Sequence, residues 1–161
     1  MNEYKVKLEE LLPVIEECLD TGRSFTFSPN GVSMLPMLRQ GRDTVTLSPL
    51  PERLRKYDLP LYRRPDGKFI LHRIVGTAAD GSYVCIGDHQ FVFETGVKPD
   101  WMIAVVTKFT RDGREHSVRE WTYRLYCRIW HYSRTPRRIL QKIRSGFGRL
   151  FAADKTHTTL S

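Results

Sequence analysis

The chain has 161 residues, of which 40% are hydrophobic and 27% are charged, so it can hold one ordinary domain with an appendage. Its net charge of +8 is unevenly distributed. Residues 1–110 contain 14 residues of each sign, whereas residues 111–161 contain 12 Lys and Arg against 4 Asp and Glu. This pattern indicates a neutral working domain followed by a basic segment whose natural partners are anionic lipid or nucleic acid.

Two further features restrict the class of protein. The longest purely apolar run, residues 101–106, is far shorter than the ~20 residues of a membrane-spanning helix, and no N-terminal stretch has the pattern of a signal peptide. We therefore expect a chain that does not cross a bilayer on its own and works on the cytoplasmic side. The three cysteines, Cys18, Cys85 and Cys127, lack paired metal-ligand spacing. They are expected to be small buried side chains in a reducing compartment.

The first predicted element is a helix over residues 3–21. Its apolar residues recur at helical spacing opposite a set of glutamates, so we expect it to pack on the domain. Pro13 lies inside this pattern and is expected to kink the helix or mark a restart. Gly22 is a natural stop.

From residue 23 to about residue 110 the hydrophobic period changes to two. The predicted strands lie in SFTFS, DTVTLS, LPLYRR, KFILHRIVG, SYVCIG, MIAVVTKFT and EHSV. Turns are indicated at residues 65–67, 79–81 and 111–113, each of which ends in Asp-Gly, with Pro65 opening the first. Short strands with closely spaced turns predict a mainly β fold, a coiled antiparallel β-domain.

Helical spacing returns from Arg119 onward. Trp121, Leu125, Ile129 and Tyr132 fall on one stripe, and Pro136 interrupts the pattern. A second segment places apolar residues on one face and arginines on the other, which is typical of a helix lying in a membrane interface. The alternatives are that residues 121–130 pack on the β-domain, or that the segment binds nucleic acid, which the arrangement of the arginines favours less.

Covalent chemistry needs a nucleophile, a base and a group that orients the base. Ser33 lies in NGVSMLP, His72 interrupts the apolar stretch FILHRIV, and Asp88 follows a predicted strand in CIGDHQ. Each of these residues taken alone is more often structural. Lys68 lies four residues from His72 and is expected to be a surface charge beside a turn.

The order of these elements is more informative than any one of them. NGVSMLPMLRQGRDTVTL, then KYDLPLYRRPDGKFILHRIVG, then YVCIGDHQ resembles the signal peptidase I and SOS-repressor clan of serine peptidases, over roughly residues 25–90. The presence of His at the position of the base resembles the endoplasmic-reticulum type. The DNA-reading domain and catalytic Lys of the repressor branch are missing. The two intermediate Gly-Asp elements read Gly41-Arg42-Asp43 and Tyr57-Asp58 here, and Glu94 is the nearest acid to the family's additional downstream Asp.

The resemblance implies a Ser-His-Asp relay that needs no metal or cofactor. Ser33 would be the nucleophile, His72 the base, and Asp88 the carboxylate that supports the histidine. Gly31, with the Ser33 N–H, matches the family's oxyanion hole, and Met34 would lie at the substrate-binding side. The substrate would be a peptide or protein, cleaved near a membrane surface.

Two other functions fit the same residues. The first is a binding or regulatory module that keeps the peptidase fold without turnover, and the second is a nucleic-acid-associated regulator. The expected organisation is an N-terminal packing helix over residues 1–22, a peptidase-like β-domain over 23–118, a basic amphipathic helical tail over 119–152 and a frayed terminus over 153–161.

Overall fold

A computed structural model describes residues 8–140 and 143. In chain order the elements are α1 (Leu8–Asp20), β1 (Phe25–Phe27), β2 (Thr44–Ser48), β3 (Pro60–Arg63), β4 (Phe69–Leu71), β5 (Arg73–Thr77), β6 (Tyr83–Ile86), β7 (Glu94–Val97), a 3₁₀ turn (Pro99–Trp101), β8 (Met102–Arg111), β9 (Arg114–Ser117) and α2 (Trp121–Tyr132). Residues 134–140 form a further helix, α3. The fold is therefore mixed, with mostly antiparallel strands and helices at both ends.

The strands form two sheets. The larger has the order β1-β2-β8-β3-β4, with β9 also paired to β8, and the smaller has the order β5-β6-β7. Every pairing is antiparallel. The predicted antiparallel strands and the flanking helices are confirmed, although β7 was not recognised in the sequence.

The hairpin between β3 and β4 forms as its turn residues predict. Arg63 pairs with Phe69 across the turn, and Gly67 has a φ of 83°, which is the left-handed conformation that glycine adopts without strain. The stretch KFILHRIVG differs from the prediction because it is not one strand. It divides at His72 into β4 of the large sheet and β5 of the small sheet. His72 therefore lies where the chain passes between the sheets.

Helix α1 is continuous through Pro13, so the proline neither breaks nor restarts it. Its apolar side packs on the large sheet, where Ile15 and Leu19 are buried with residues of β2, β3 and β8. The predicted stop is confirmed, since Gly22 has a φ of 71° and its N–H donates to the Leu19 carbonyl.

The C-terminal helices pack on the domain with an unexpected face. In α2, Tyr123 and Cys127 are buried, whereas the stripe from Trp121 to Tyr132 is solvent-exposed. Helix α2 ends at its C-cap residue, Ser133, and α3 begins at the next residue. Pro136 lies in the first turn of α3, where a missing N–H is tolerated. Only one side of α2 therefore packs on the β-domain, the side that carries Tyr123 and Cys127.

Some sequence-based predictions fall outside the described residues. These are the start of the first helix at residues 3–7, most of the tail after residue 140 and the terminus at residues 153–161. Within residues 8–140 and at residue 143, no helix is long and apolar enough to span a bilayer.

Candidate active site

Ser33 lies in the loop that joins β1 to β2. Two buried side chains just after it, Met34 and Leu38, anchor this loop in the core. At the end of the loop the fully buried Asp43 accepts hydrogen bonds from the backbone N–H and the guanidinium of Arg39. The loop is therefore held at both ends, and the serine is presented from a supported backbone.

Ser33 and His72 approach each other around Gly87, which follows β6. A Cβ built on Gly87 would lie 2.6 Å from the Ser33 carbonyl oxygen, 3.0 Å from Ser33 Cβ and 3.1 Å from His72 Nε2. Two residues after Gly87, His89 donates its backbone N–H to the Ser33 carbonyl at 2.8 Å. Ser33 and the His72 imidazole thus both lie beside one position, which only glycine leaves open.

The other ring nitrogen of His72 faces an acid. His72 Nδ1 lies 3.5 Å from Glu94 Oε2 and 3.5 Å from the Tyr62 hydroxyl. The Tyr62 hydroxyl donates to the same Glu94 oxygen at 2.7 Å, and Arg64 donates to both carboxylate oxygens. Glu94 is therefore held in place by two neighbours while it faces the imidazole.

This environment sets the protonation of the pair. Burial lowers the pKa of His72 below its usual value and outweighs the opposite effect of the Glu94 charge. Partial burial opposes ionisation of Glu94, but hydrogen bonds from Arg64 and Tyr62 outweigh it and lower the pKa of that carboxyl. At neutral pH the site thus holds a neutral imidazole beside a carboxylate, which is the starting state of a general base.

Asp88 does not serve the histidine in the way that the sequence suggested. Its carboxylate, 2% exposed, receives Arg73 Nε at 2.8 Å and Arg73 Nη2 at 2.7 Å, and it forms neither a hydrogen bond nor an ion pair with His72. Arg73 is itself buried, and a charge in that position needs a carboxylate partner. Arg73, the residue after His72, thus binds the carboxylate that the sequence analysis assigned to His72.

The Arg73–Asp88 pair also joins the small sheet to α2. Arg73 Nη1 donates to the Tyr123 hydroxyl at 2.7 Å and to Cys127 Sγ at 2.9 Å. The Trp130 indole N–H donates to the Asp88 carbonyl at 2.7 Å. Because Asp88 directly follows Gly87, α2 helps to position the turn that contacts Ser33.

The groups expected to bind an oxyanion are only partly available. Gly31, whose φ is 97°, donates its N–H to Gln40 Oε1 at 2.9 Å. The N–H of Ser33 has no acceptor among the described residues. Met34 lines the same cleft with a largely buried side chain. Ser33 therefore offers one free donor beside its own hydroxyl, and Gly31 would offer a second if Gln40 moved away.

Ser33 and His72 lie in an open cleft of about 1110 Å³. One wall is the chain after β1, from Phe27 to Gly31, and the opposite wall is β4. Both β1 and β4 are edges of the large sheet, so their outer main-chain groups are not engaged by a neighbouring strand of that sheet. The rest of the cleft lining is mixed, with aliphatic residues such as Leu8 and Leu61 beside charged residues such as Arg64 and Lys68.

The two intermediate aspartates have structural surroundings. Asp43 is bound by Arg39, as described above, and Asp58 accepts the Arg55 backbone N–H at 2.7 Å. Tyr57 has a φ of 79° and so adopts the left-handed conformation that glycine favours.

Sequence reasoning selected Ser33 and His72 as candidate site residues, and it did not select the acid that faces His72 Nδ1. Glu94 was noted only as the nearest downstream acid, and Tyr62 and Arg64 were not singled out. Tyr62 lies in β3 and Arg64 directly follows it, so their side chains lie on the same side of the strand. This spacing of two residues was the signal in the sequence that the two side chains could bind one acid.

Comparisons with protein-family models, with curated proteins and with solved structures found no match to this chain.

Proposed function

We propose that the protein is a serine peptidase of the signal-peptidase type, in which Ser33 acts with His72 and Glu94. The observation that carries the proposal is the convergence of three separate segments. The loop before β2 and the junction between the sheets bring a hydroxyl and a neutral imidazole to an open cleft, and the start of β7 places a carboxylate beside the other ring nitrogen of that imidazole. The finer assignment of the fold to a coiled peptidase β-domain is part of the same proposal.

In the first step His72 Nε2 accepts the Ser33 hydroxyl proton as Oγ attacks the carbonyl carbon of a peptide bond. The electron pair of the carbonyl moves to its oxygen, which the Ser33 N–H can bind. Glu94 stabilises the resulting imidazolium across the 3.5 Å contact and keeps the proton of the neutral ring on Nδ1. A Ser33–His72 hydrogen bond is absent here, and such contacts often tighten only when substrate binds.

In the second step the imidazolium gives its proton to the leaving amine, and the peptide bond breaks to leave an ester on Ser33. Water then attacks this ester while His72 Nε2 accepts one of its protons, and the imidazolium gives that proton to Ser33 Oγ as the ester C–O bond breaks, which releases a product with a new carboxyl group. Asp88 takes no part in proton transfer in this scheme. Its carboxylate binds Arg73, and this contact helps to fix the position of the neighbouring Gly87.

The cleft favours an extended peptide as substrate. A strand placed between the chain after β1 and β4 could pair with either sheet edge through its main chain, which fixes its direction without reading its sequence. The aliphatic part of the lining, which includes Leu8 and Leu11 of α1, would accept hydrophobic side chains.

The decisive experiment measures covalent labelling by a serine-reactive fluorophosphonate together with cleavage of a peptide library. We expect the wild type to label and cleave, and Ser33→Ala and His72→Ala to do neither while keeping the wild-type melting temperature. Ser82→Ala, a serine outside the cleft, is the matched control and should behave as wild type. Labelling that survives in Ser33→Ala would remove the enzymatic proposal.

The second candidate is a module that binds peptides without cleaving them. It is favoured by the hydrogen bond between Gly31 N–H and Gln40 Oε1, which occupies one expected oxyanion donor. If this candidate is correct, library peptides bind the wild type and Ser33→Ala equally, and no products appear.

A further inference from the structure

The exposed side of α2 and α3 is an apolar surface. Trp121 is 75% exposed, Leu125 46%, Ile129 58% and Tyr132 71%. On α3, Ile139 is 55% and Leu140 56% exposed, and Ile143, a helical residue beyond α3, is 50% exposed. We call these seven residues the outer face. Soluble domains seldom leave so many large apolar side chains together in water.

The outer face points to solvent because the opposite sides of both helices pack on the domain. On α2 the inward side carries Tyr123, Tyr126 and Trp130, which hydrogen bond the Arg73–Asp88 pair. On α3 two arginines face inward: Arg134 stacks on Phe93, and Arg137 stacks on Trp130. Polar and aromatic groups thus hold the helices, and the aliphatic groups stay free.

The charge around the outer face is of one sign. Arg124 and Arg128 are exposed on α2 beside the stripe, and Arg138 is exposed on α3. The sequence contains no Asp or Glu from residue 121 to residue 153. A second copy of the chain fits poorly here, because a symmetric contact would bring arginines against arginines. An anionic surface that also accepts apolar side chains fits both properties.

We propose that the outer face binds an anionic lipid bilayer, with the helices lying in the interface. Trp121 and Tyr132, at the two ends of the α2 stripe, have the amphipathic rings that favour the headgroup level. Leu125 and Ile129 between them enter the acyl boundary, and Arg124 and Arg128 contact lipid phosphates. This proposal does not depend on the proposed peptidase activity.

The helix that carries the outer face also contacts the surroundings of the candidate active site, through its opposite side. Trp130 of α2 donates to the carbonyl of Asp88, which directly follows Gly87. The outer face itself is not part of the cleft lining, so a bilayer bound there would leave the cleft open.

The test is co-sedimentation of the full chain with vesicles of phosphatidylcholine alone and of phosphatidylcholine mixed with phosphatidylglycerol. We expect binding to the mixed vesicles and much weaker binding to the neutral ones. Arg124→Gln with Arg128→Gln should weaken binding to mixed vesicles by about fivefold for each arginine. Trp121→Ser with Ile129→Ser should weaken it by about tenfold or more.

Val14→Ser is the matched control, because it removes an exposed aliphatic side chain from α1 instead. It should bind vesicles as the wild type does, and all variants should melt at similar temperatures because the altered residues are exposed. The proposal is overturned if the wild type stays unbound with mixed vesicles. It is also overturned if Trp121→Ser with Ile129→Ser binds them normally, if that variant turns a dimer into a monomer, or if duplex DNA displaces the protein from the vesicles.

Discussion

The proposed mechanism gives different roles to two acids, Glu94 and Asp88, and this assignment can be tested directly. Glu94 faces His72 Nδ1 at 3.5 Å, whereas both Asp88 oxygens are bound by Arg73. We therefore compare Glu94→Gln with Asp88→Asn, since each change removes one charge and keeps the shape of the side chain. The first should damage turnover and the second should damage stability.

The magnitude for Glu94→Gln follows from the contact with His72. A carboxylate at 3.5 Å would stabilise an imidazolium by about 5 kcal/mol at an effective dielectric constant of about 20. Arg64 on the same carboxylate offsets part of this. We expect the rate of labelling or cleavage to fall by about 10²-fold, which corresponds to about 2.7 kcal/mol.

The magnitude for Asp88→Asn follows from the burial of its partner. Removing the acid leaves the Arg73 charge without a counterion inside the protein, and breaking such a pair costs about 3–5 kcal/mol. Urea unfolding gives the free energy of unfolding, and fluorophosphonate labelling gives the rate. If folded Asp88→Asn keeps wild-type stability but loses labelling, while Glu94→Gln labels normally, the assignment of the two acids is refuted.

Three other outcomes follow from the same geometry. Because burial lowers the pKa of His72, the labelling rate should fall to half its plateau at a pH below 6.5, the ordinary pKa of histidine; a midpoint above 6.5 would contradict this. Gly87→Ala should slow labelling by about 10²-fold, because the new Cβ would lie 2.6 Å from a backbone oxygen. Gly76→Ala, whose Cβ would make ordinary contacts at 3.8 Å, is its control and should leave the rate unchanged. Arg39 lowers the pKa of Asp43, so that carboxylate stabilises the fold above its unfolded pKa near 3.8, and this stability is lost as the pH falls further. Asp43→Asn should therefore lower the free energy of unfolding at pH 7 by about 2 kcal/mol, and the difference from wild type should shrink in acid, as measured by urea unfolding at both pH values.

Local chemistry made several features predictable from the sequence. The hairpin between β3 and β4 follows from Pro65-Asp66-Gly67, and the end of α1 follows from Gly22, because proline and glycine restrict or free the backbone wherever they stand. The order of the motifs also led us to expect Ser33 near His72, and both residues lie beside Gly87, although their catalytic roles stay a prediction.

Only the tertiary structure decided which acid faces the histidine. Asp88 and Glu94 are both carboxylates within one short stretch, and nothing local distinguishes them. The choice depends on Arg73, which is buried where α2 and the small sheet meet and therefore binds Asp88. It depends equally on Tyr62 and Arg64, which come from another sheet and hold Glu94.

The orientation of α2 shows the same division. Helical periodicity correctly grouped Trp121, Leu125 and Ile129 on one stripe, because spacing alone determines which side chains share a face. It could not determine which face turns inward. That was decided by the buried Arg73–Asp88 pair, whose hydrogen bonds are satisfied by the hydroxyl, thiol and indole groups of the opposite face. The more apolar stripe of α2 stays in solvent, because burying a charge without partners costs more free energy than exposing aliphatic surface.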